Sequence, residues 1–170
     1  WAAQSRIVVD GWVLPEPADS IFSAGRQHKI PVLLGSTANE GHLLFPLNED
    51  MSQSGFDAYL STTFGSLSPA LTEAYANELK VSPGFAQREI ATDLFMAFGM
   101  RSWAGRMQQA QTQTYLYFME YVPPAFQIYL VNEPDLQLPD GPRSAGAYHS
   151  GDLVYVFNNL DRFAVASVSY

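Results

Sequence analysis

The fold class follows from one stretch of the chain, Lys29-Ile30-Pro31-Val32-Leu33-Leu34-Gly35. This uninterrupted apolar run is typical of a strand in a parallel sheet that is covered on both faces. A polar loop, residues 36–41, follows it directly. Open α/β sheets carry their functional groups on loops at the carboxyl ends of strands. The stretch therefore predicts a buried strand with a candidate site beside it.

Helix and strand signals alternate on both sides of this stretch. The predicted helices span about residues 19–25, 55–63, 70–80 and 83–111, with one or two further helical turns within 152–160. Ser68 and Pro69 are expected to cap the helix that begins at Ala70. A second strand, residues 114–121, is rich in aromatic side chains and is expected to be buried. This alternation predicts part of an α/β layered fold.

Composition and charge exclude several classes of protein. The 170 residues are 47% hydrophobic and carry a formal net charge of −8, with nine Lys and Arg against seventeen Asp and Glu. Scattered basic residues form no stripe that neutralises phosphates, so we expect no nucleic-acid partner. The absence of cysteine excludes disulfides, cysteine-ligated zinc and thiol nucleophiles. No membrane-span run and no His-Glu-x-x-His motif occurs, so we expect neither a membrane span nor a metal or other cofactor.

Glu40 is the first candidate for chemistry. It lies five residues after Gly35, on the loop that leaves the carboxyl end of the predicted strand. Gly41 follows it and is expected to adopt the unusual backbone conformation that turns the carboxylate inward. The alternative interpretation is a solvated carboxylate on an ordinary loop.

Histidine is the side chain whose ordinary pKa suits proton transfer near neutrality, and the chain has three. His149 lies on a loop rich in Gly, Ser and Tyr, just before an apolar helical segment, and is the candidate base. A structural histidine is the alternative there. His28 is expected at the surface, and His42 either supports Glu40 or is a plain loop residue.

The sequence contains no recognisable motif for a catalytic nucleophile. The chain contains no Gly-x-Ser-x-Gly elbow and no Ser-x-x-Lys motif. Ser36, Ser144 and Ser150 lie on the two loops of interest, but none has the glycines of an elbow. These serines are expected to form local hydrogen bonds.

Five stretches, taken in chain order, are distinctive. They are Val8-Val9-Asp10-Gly11-Trp12-Val13-Leu14-Pro15, Ile30-Pro31-Val32-Leu33-Leu34-Gly35-Ser36-Thr37-Ala38-Asn39-Glu40-Gly41, Ala91-Thr92-Asp93-Leu94-Phe95, Tyr115-Leu116-Tyr117-Phe118 and Gly146-Ala147-Tyr148-His149-Ser150-Gly151-Asp152-Leu153-Val154-Tyr155-Val156-Phe157. Together they resemble the type-B carboxylesterase family, the cholinesterase-like branch of the α/β-hydrolases, over nearly the whole chain. The resemblance implies the C-terminal portion of an α/β-hydrolase fold, a partial and mostly parallel sheet with covering helices.

The resemblance also implies a triad in the chain order Ser, Glu, His. Glu40 is then the acid and His149 the base, and the serine elbow and the glycine-rich oxyanion loop precede Trp1. Residues 1–170 are thus expected to be a C-terminal fragment of one α/β-hydrolase domain. The fragment alone is expected to be inactive and to self-associate through exposed sheet edges.

A small-molecule ester is the substrate that the resemblance implies for the full-length parent. Aromatic side chains line the route to the serine in this family, and the candidates here are Phe45, Phe95, Phe126 and Tyr129, which otherwise belong to the core. Some relatives keep the fold without the triad and act as binding or adhesion modules, which is the alternative function. The compartment stays open, although the absence of cysteine favours a bacterial-type protein, cytoplasmic or secreted.

Overall fold

The computed structural model describes residues 8–123 and 146–158. The chain divides into two compact units. Unit 1 comprises Trp1–Leu34 and Met100–Tyr117, and unit 2 comprises Gly35–Gly99 and Phe118–Tyr170. Glu40 and His149 both belong to unit 2.

Short helices are the most common regular elements of the described chain. They are α1 (Ala18–Ser23), α2 (Gln53–Phe64), α3 (Ser68–Ala74), α4 (Ala76–Val81), α5 (Pro83–Thr92), α6 (Phe98–Gln109) and α7 (Leu153–Val156). A 3-10 turn, Gly65–Leu67, precedes α3, and a π-helical segment, Asp93–Ala97, joins α5 to α6. The helices predicted at about 19–25, 55–63 and 83–111, and the turn within 152–160, are confirmed to within a few residues.

Two strands, β1 (Val32–Thr37) and β2 (Thr114–Met119), pair in the described part of the chain. The N–H of Val32 donates to the carbonyl of Gln113 at 3.1 Å, and the N–H of Ala38 donates to the carbonyl of Met119 at 2.9 Å. Both partners advance by the same number of residues, so the strands run parallel. The predicted first strand is confirmed but begins after Pro31, because proline has no N–H for a ladder.

The prediction that both strands are buried is wrong for the described residues. Along β1 Leu34 is 7% exposed, whereas Leu33 is 64% exposed. Along β2 Tyr115 and Phe118 are about half exposed. An apolar run indicates that a strand can be covered on both faces, but the described elements cover only one face of β1. Self-association through these strands stays a prediction.

The helix predicted over 70–80 differs from the prediction in two ways. It is broken at Tyr75 into α3 and α4. Ser68 is not its cap: it lies inside α3, and its Oγ donates to the carbonyl of Gly65 at 2.6 Å. Serine does cap α5, where Ser82 Oγ accepts the N–H of Phe85 at 3.0 Å and proline follows directly.

The core of unit 2 lies between α2 and α5. Its fully buried members are Phe56 and Leu60 on α2 and Ala86 and Ile90 on α5. Each pair is spaced four residues apart, so each helix presents one apolar stripe to the other. Burial of a side chain as large as phenylalanine contributes roughly 1.5–3 kcal/mol. This core holds α5, and with it the π-helical segment that follows, in unit 2.

Among the helices that the structure describes, none combines the length and the hydrophobicity that spanning a bilayer requires.

The π-helical segment is anchored by Tyr75, whose hydroxyl donates to Asp93 Oδ2 at 2.6 Å. Burial raises the pKa of the Tyr75 phenol above its ordinary value, and the hydrogen bond to the Asp93 carboxylate raises it further. π-helical turns contain one extra residue and often occur at functional sites. Here the turn contains Phe95, one of the predicted aromatic residues.

Replacing Tyr75 by Phe tests this anchor. Removing the hydroxyl should lower the free energy of unfolding by about 1 kcal/mol at neutral pH. Because the folded state raises the pKa of Tyr75, the unfolded chain loses this proton first as the pH rises above about 10. The advantage of the wild type should therefore shrink in alkaline solution. Urea unfolding at neutral and alkaline pH measures both effects, with Tyr115→Phe as control, because the half-exposed Tyr115 hydroxyl accepts from the Gln113 amide and has no carboxylate partner in the described structure. Equal stability of Tyr75→Phe and wild type at neutral pH would contradict the anchor.

Candidate active site

Glu40 lies in the turn that follows β1 and points into the protein. It is 3% exposed. The main-chain N–H of Thr37 donates to its Oε1 at 2.7 Å. A buried carboxylate needs such partners because it has left water. The alternative of a solvated loop carboxylate is therefore wrong.

Gly41 is required by space rather than by backbone conformation, which corrects the sequence-based expectation. Its φ angle is not in the left-handed region. A Cβ atom at this position would lie 2.3 Å from Oγ1 of Thr92 and 2.5 Å from Cδ2 of Phe45. The turn after β1 thus packs directly against the end of α5, and only glycine allows this approach.

His149 lies beside Glu40, on what we call the histidine loop, residues 146–152. Its Nδ1 is 2.6 Å from Oε2 of Glu40. Because a carboxylate only accepts, Nδ1 carries the hydrogen and donates it, which fixes the tautomer. The side chain of His149 is 39% exposed, against 4% for that of Glu40. The imidazole therefore has one nitrogen bound to a buried carboxylate while part of its surface stays accessible.

A backbone bridge explains how residues so distant in sequence become neighbours. Asn39 and Tyr148 form an isolated parallel β-bridge. The residues that follow them, Glu40 and His149, consequently leave the bridge side by side. The side chain of Asn39 also accepts the N–H of Ala147 at 2.8 Å. Sequence reasoning missed Asn39, although its position directly before Glu40 was a usable signal.

Aromatic rings adjoin the imidazole. The ring centroid of Phe95 is 5.2 Å from that of His149, at an interplanar angle of 66°. Phe45 packs edge-on against Phe95 at 5.8 Å. The structure thus brings two of the predicted aromatic residues to the Glu40–His149 pair. Phe126 and Tyr129 lie outside the described residues.

His42 does not contact Glu40 through any hydrogen bond that the structure shows. Its Nε2 lies 2.6 Å from Oε1 of Glu89 on α5, and its ring packs edge-on against Phe85. Glu89 carried no sequence signal, because it is 47 residues away on a helix. His28 is exposed, as predicted.

The arrangement can move a proton, but within the described residues the structure shows no hydroxyl hydrogen-bonded to the imidazole of His149. An imidazole held by a carboxylate can accept a proton at its other nitrogen and return it. Ser36 is buried in β1 and Ser150 directly follows the histidine. Ser144 lies outside the described residues. Within the described ranges, no group of acidic and histidine side chains is arranged to hold a metal ion.

Comparison with known proteins points to one family. A sequence model of the carboxylesterase family matches residues 2–162. The para-nitrobenzyl esterase of Bacillus subtilis (strain 168) is 28% identical over 166 residues. The aligned region covers 95% of this chain but 29% of that esterase, so the chain spans less than a third of the length of this relative.

Substitution of Gly41 by Ala tests the close packing of the turn. The added methyl group must displace Thr92 or Phe45, so we expect a loss of roughly 1–3 kcal/mol in the free energy of unfolding. Gly99→Ala is the matched control, because a Cβ atom there meets nothing within 4 Å. In a helix, that control should be neutral or stabilising by up to about 1 kcal/mol. Chemical denaturation measures both, and equal effects would refute the packing argument.

Proposed function

The chain belongs to the carboxylesterase family, and from this premise we propose that the longer protein of which it is a part, here called the parent, hydrolyses carboxylic esters. Glu40 and His149 are the acid and the base of its Ser-Glu-His triad. The observation that carries the proposal is the 2.6 Å contact between Oε2 of Glu40 and Nδ1 of His149. It leaves Nε2 as the nitrogen that exchanges protons with the reacting groups.

The reaction proceeds in two halves. In the first, Nε2 of His149 takes the proton of a serine hydroxyl while the serine oxygen attacks the ester carbonyl. The tetrahedral intermediate then expels the alcohol, which receives that proton from His149, and an acyl-serine remains. In the second half, His149 takes a proton from water, the resulting hydroxide attacks the acyl-serine, and serine regains its hydrogen as the carboxylic acid leaves.

Glu40 stabilises the charged form of the ring in both halves. Its carboxylate accepts the Nδ1 hydrogen and stays ionised while His149 is transiently an imidazolium. The N–H of Thr37 on the opposite oxygen keeps the carboxylate from rotating. Glutamate serves as well as aspartate here, because the position and charge of the carboxylate matter rather than the length of its side chain.

Small or medium uncharged esters are the substrates that we propose. Phe95 and Phe45 form an apolar wall next to the imidazole, which suits an uncharged acyl or alcohol group. The name of the Bacillus relative, para-nitrobenzyl esterase, makes a nitrobenzyl ester a reasonable first test substrate.

The serine and its oxyanion-binding N–H groups come from a part of the parent outside these 170 residues. Two observations support this proposal. The sequence contains no Gly-x-Ser-x-Gly elbow. The chain also covers 29% of the length of the Bacillus esterase. Residues 1–170 then form a C-terminal fragment of a single α/β-hydrolase domain.

The catalytic roles are tested by substitution in the parent. Replacing His149 by Ala, or Glu40 by Gln, should lower kcat for a chromogenic ester by roughly 10³–10⁴-fold with little change in KM. His28→Gln is the matched control, because this histidine is exposed and should leave both constants unchanged. If His149→Ala hydrolysed the ester at the wild-type rate, the triad assignment would be wrong. A folded wild-type parent without hydrolase activity would favour a non-catalytic binding module instead.

The 170-residue chain by itself should not turn over esters above the buffer background. It lacks the serine elbow, so no acyl-enzyme can form and no burst of alcohol should appear. Stopped-flow measurement with a chromogenic ester, at enzyme concentrations that make one equivalent of product visible, gives the answer. A stoichiometric burst that disappears in His149→Ala would contradict this expectation.

A further inference from the structure

We propose that Asn39 is a positioning residue that sets the geometry of the Glu40–His149 pair; its catalytic importance rests on the function proposed above. Asn39 binds one residue of the histidine loop twice. Its main-chain N–H donates to the carbonyl of Ala147 at 2.9 Å. Its side-chain Oδ1 accepts the N–H of Ala147 at 2.8 Å.

The side chain performs a task that a main-chain carbonyl performs in a regular ladder. In a regular parallel ladder, a residue that accepts from the N–H of Asn39 donates its own N–H to the carbonyl two residues earlier, that of Thr37. Here the N–H of Ala147 finds its acceptor in Oδ1 of Asn39 instead. Ala147 is fully buried. Without that acceptor its N–H would be buried unpaired, which is unfavourable.

These hydrogen bonds join residues that lie next to Glu40 and His149 in the sequence, so they set the relative position of the two side chains. Asn39 directly precedes Glu40, and Ala147 lies two residues before His149. Two hydrogen bonds of opposite direction to one residue fix both the separation and the rotation of the two loops. A shift at Asn39 is therefore passed directly to the contact between Oε2 of Glu40 and Nδ1 of His149.

The side-chain amide of Asn39 packs closely against Gly146. A Cβ atom on Gly146 would lie 2.1 Å from Oδ1 and 2.6 Å from Cγ of Asn39. The residue also has a φ of +68°, a conformation that favours glycine. The histidine loop thus begins with a residue whose backbone lies against the asparagine side chain.

The other end of the amide has a different environment. Nδ2 of Asn39 lies 3.3 Å from Nε2 of His42, and the same Nε2 lies 2.6 Å from the Glu89 carboxylate. One ring nitrogen cannot donate to Glu89 and accept from Asn39 at once, so the shorter contact to the carboxylate takes the hydrogen. Oδ1 is therefore the side-chain atom of Asn39 that connects the two loops. Aspartate can supply an equivalent oxygen, and leucine of similar size cannot.

Nuclear magnetic resonance of the chain, labelled with ¹⁵N in its histidines, tests this prediction without substrate. In the wild type, the Nδ1 hydrogen of His149 should give a downfield proton signal, because it is bound to a carboxylate. Glu40→Gln provides the spectrum of a ring without that carboxylate. Asn39→Leu should lose the signal and resemble Glu40→Gln, whereas Asn39→Asp should retain it. Circular dichroism checks that each variant is folded.

Two results would overturn the proposal. One is a folded Asn39→Leu chain that keeps the wild-type signal. The other is rapid hydrogen exchange at the Ala147 amide of the wild type. If Oδ1 of Asn39 accepts this hydrogen, exchange should be at least about tenfold slower than at an open amide. The second measurement needs no substitution, so it can overturn the proposal even where Asn39→Leu fails to fold.

Kinetics of the parent give the catalytic readout. A displacement of about 1 Å between reacting groups can lower a rate by roughly 10²-fold, so Asn39→Leu should reduce kcat on that scale with KM retained, and Asn39→Asp should restore most of it. An equal kcat for Asn39→Leu and wild type would count against a positioning role. If the wild-type parent hydrolyses no ester, the proposed function fails while the resonance test of Asn39 still stands.

Discussion

The candidate site depends on the burial of one carboxylate. Glu40 is 3% exposed, and a charged group removed from water must find hydrogen-bond donors inside the protein. Thr37 supplies one from the end of β1. His149 supplies the other from 109 residues further along the chain. His149 can donate to Glu40 only if the histidine loop lies beside the end of β1. The backbone bridge between Asn39 and Tyr148 holds the loop there.

The contact with buried Glu40 also determines which nitrogen of His149 can accept a proton. A carboxylate on one ring nitrogen fixes the tautomer, and the other nitrogen is then the one that can take a proton. The surrounding packing supports this arrangement from α5, whose core residues Ala86 and Ile90 are fully buried and whose Thr92 contacts the turn at Gly41. The π-helical segment that follows α5 adds the ring of Phe95 next to the imidazole. The Glu40–His149 pair and the aromatic rings thus meet at the carboxyl end of one strand.

Short-range sequence signals made part of the fold and part of the candidate site predictable. The apolar run after Lys29 predicted β1, and the position of Glu40 after it predicted the site, because both depend on short-range rules. The pairing of Glu40 with His149 followed from family resemblance rather than from spacing. Exposure of Leu33 and the packing around Gly41 were not predictable, because each depends on which distant surfaces meet. Glu89 is similar: nothing near it in sequence indicates a histidine partner.

The most direct test of the account is a crystal structure of the parent with a phosphonate ester bound to its nucleophile. We expect the phosphonate to be attached to a serine outside these 170 residues. We also expect Nε2 of His149 to lie within about 3 Å of that serine oxygen, with Nδ1 still on Glu40. A His149 ring far from the phosphonylated oxygen, or one that has separated from Glu40 in the intact protein, would contradict the proposed triad.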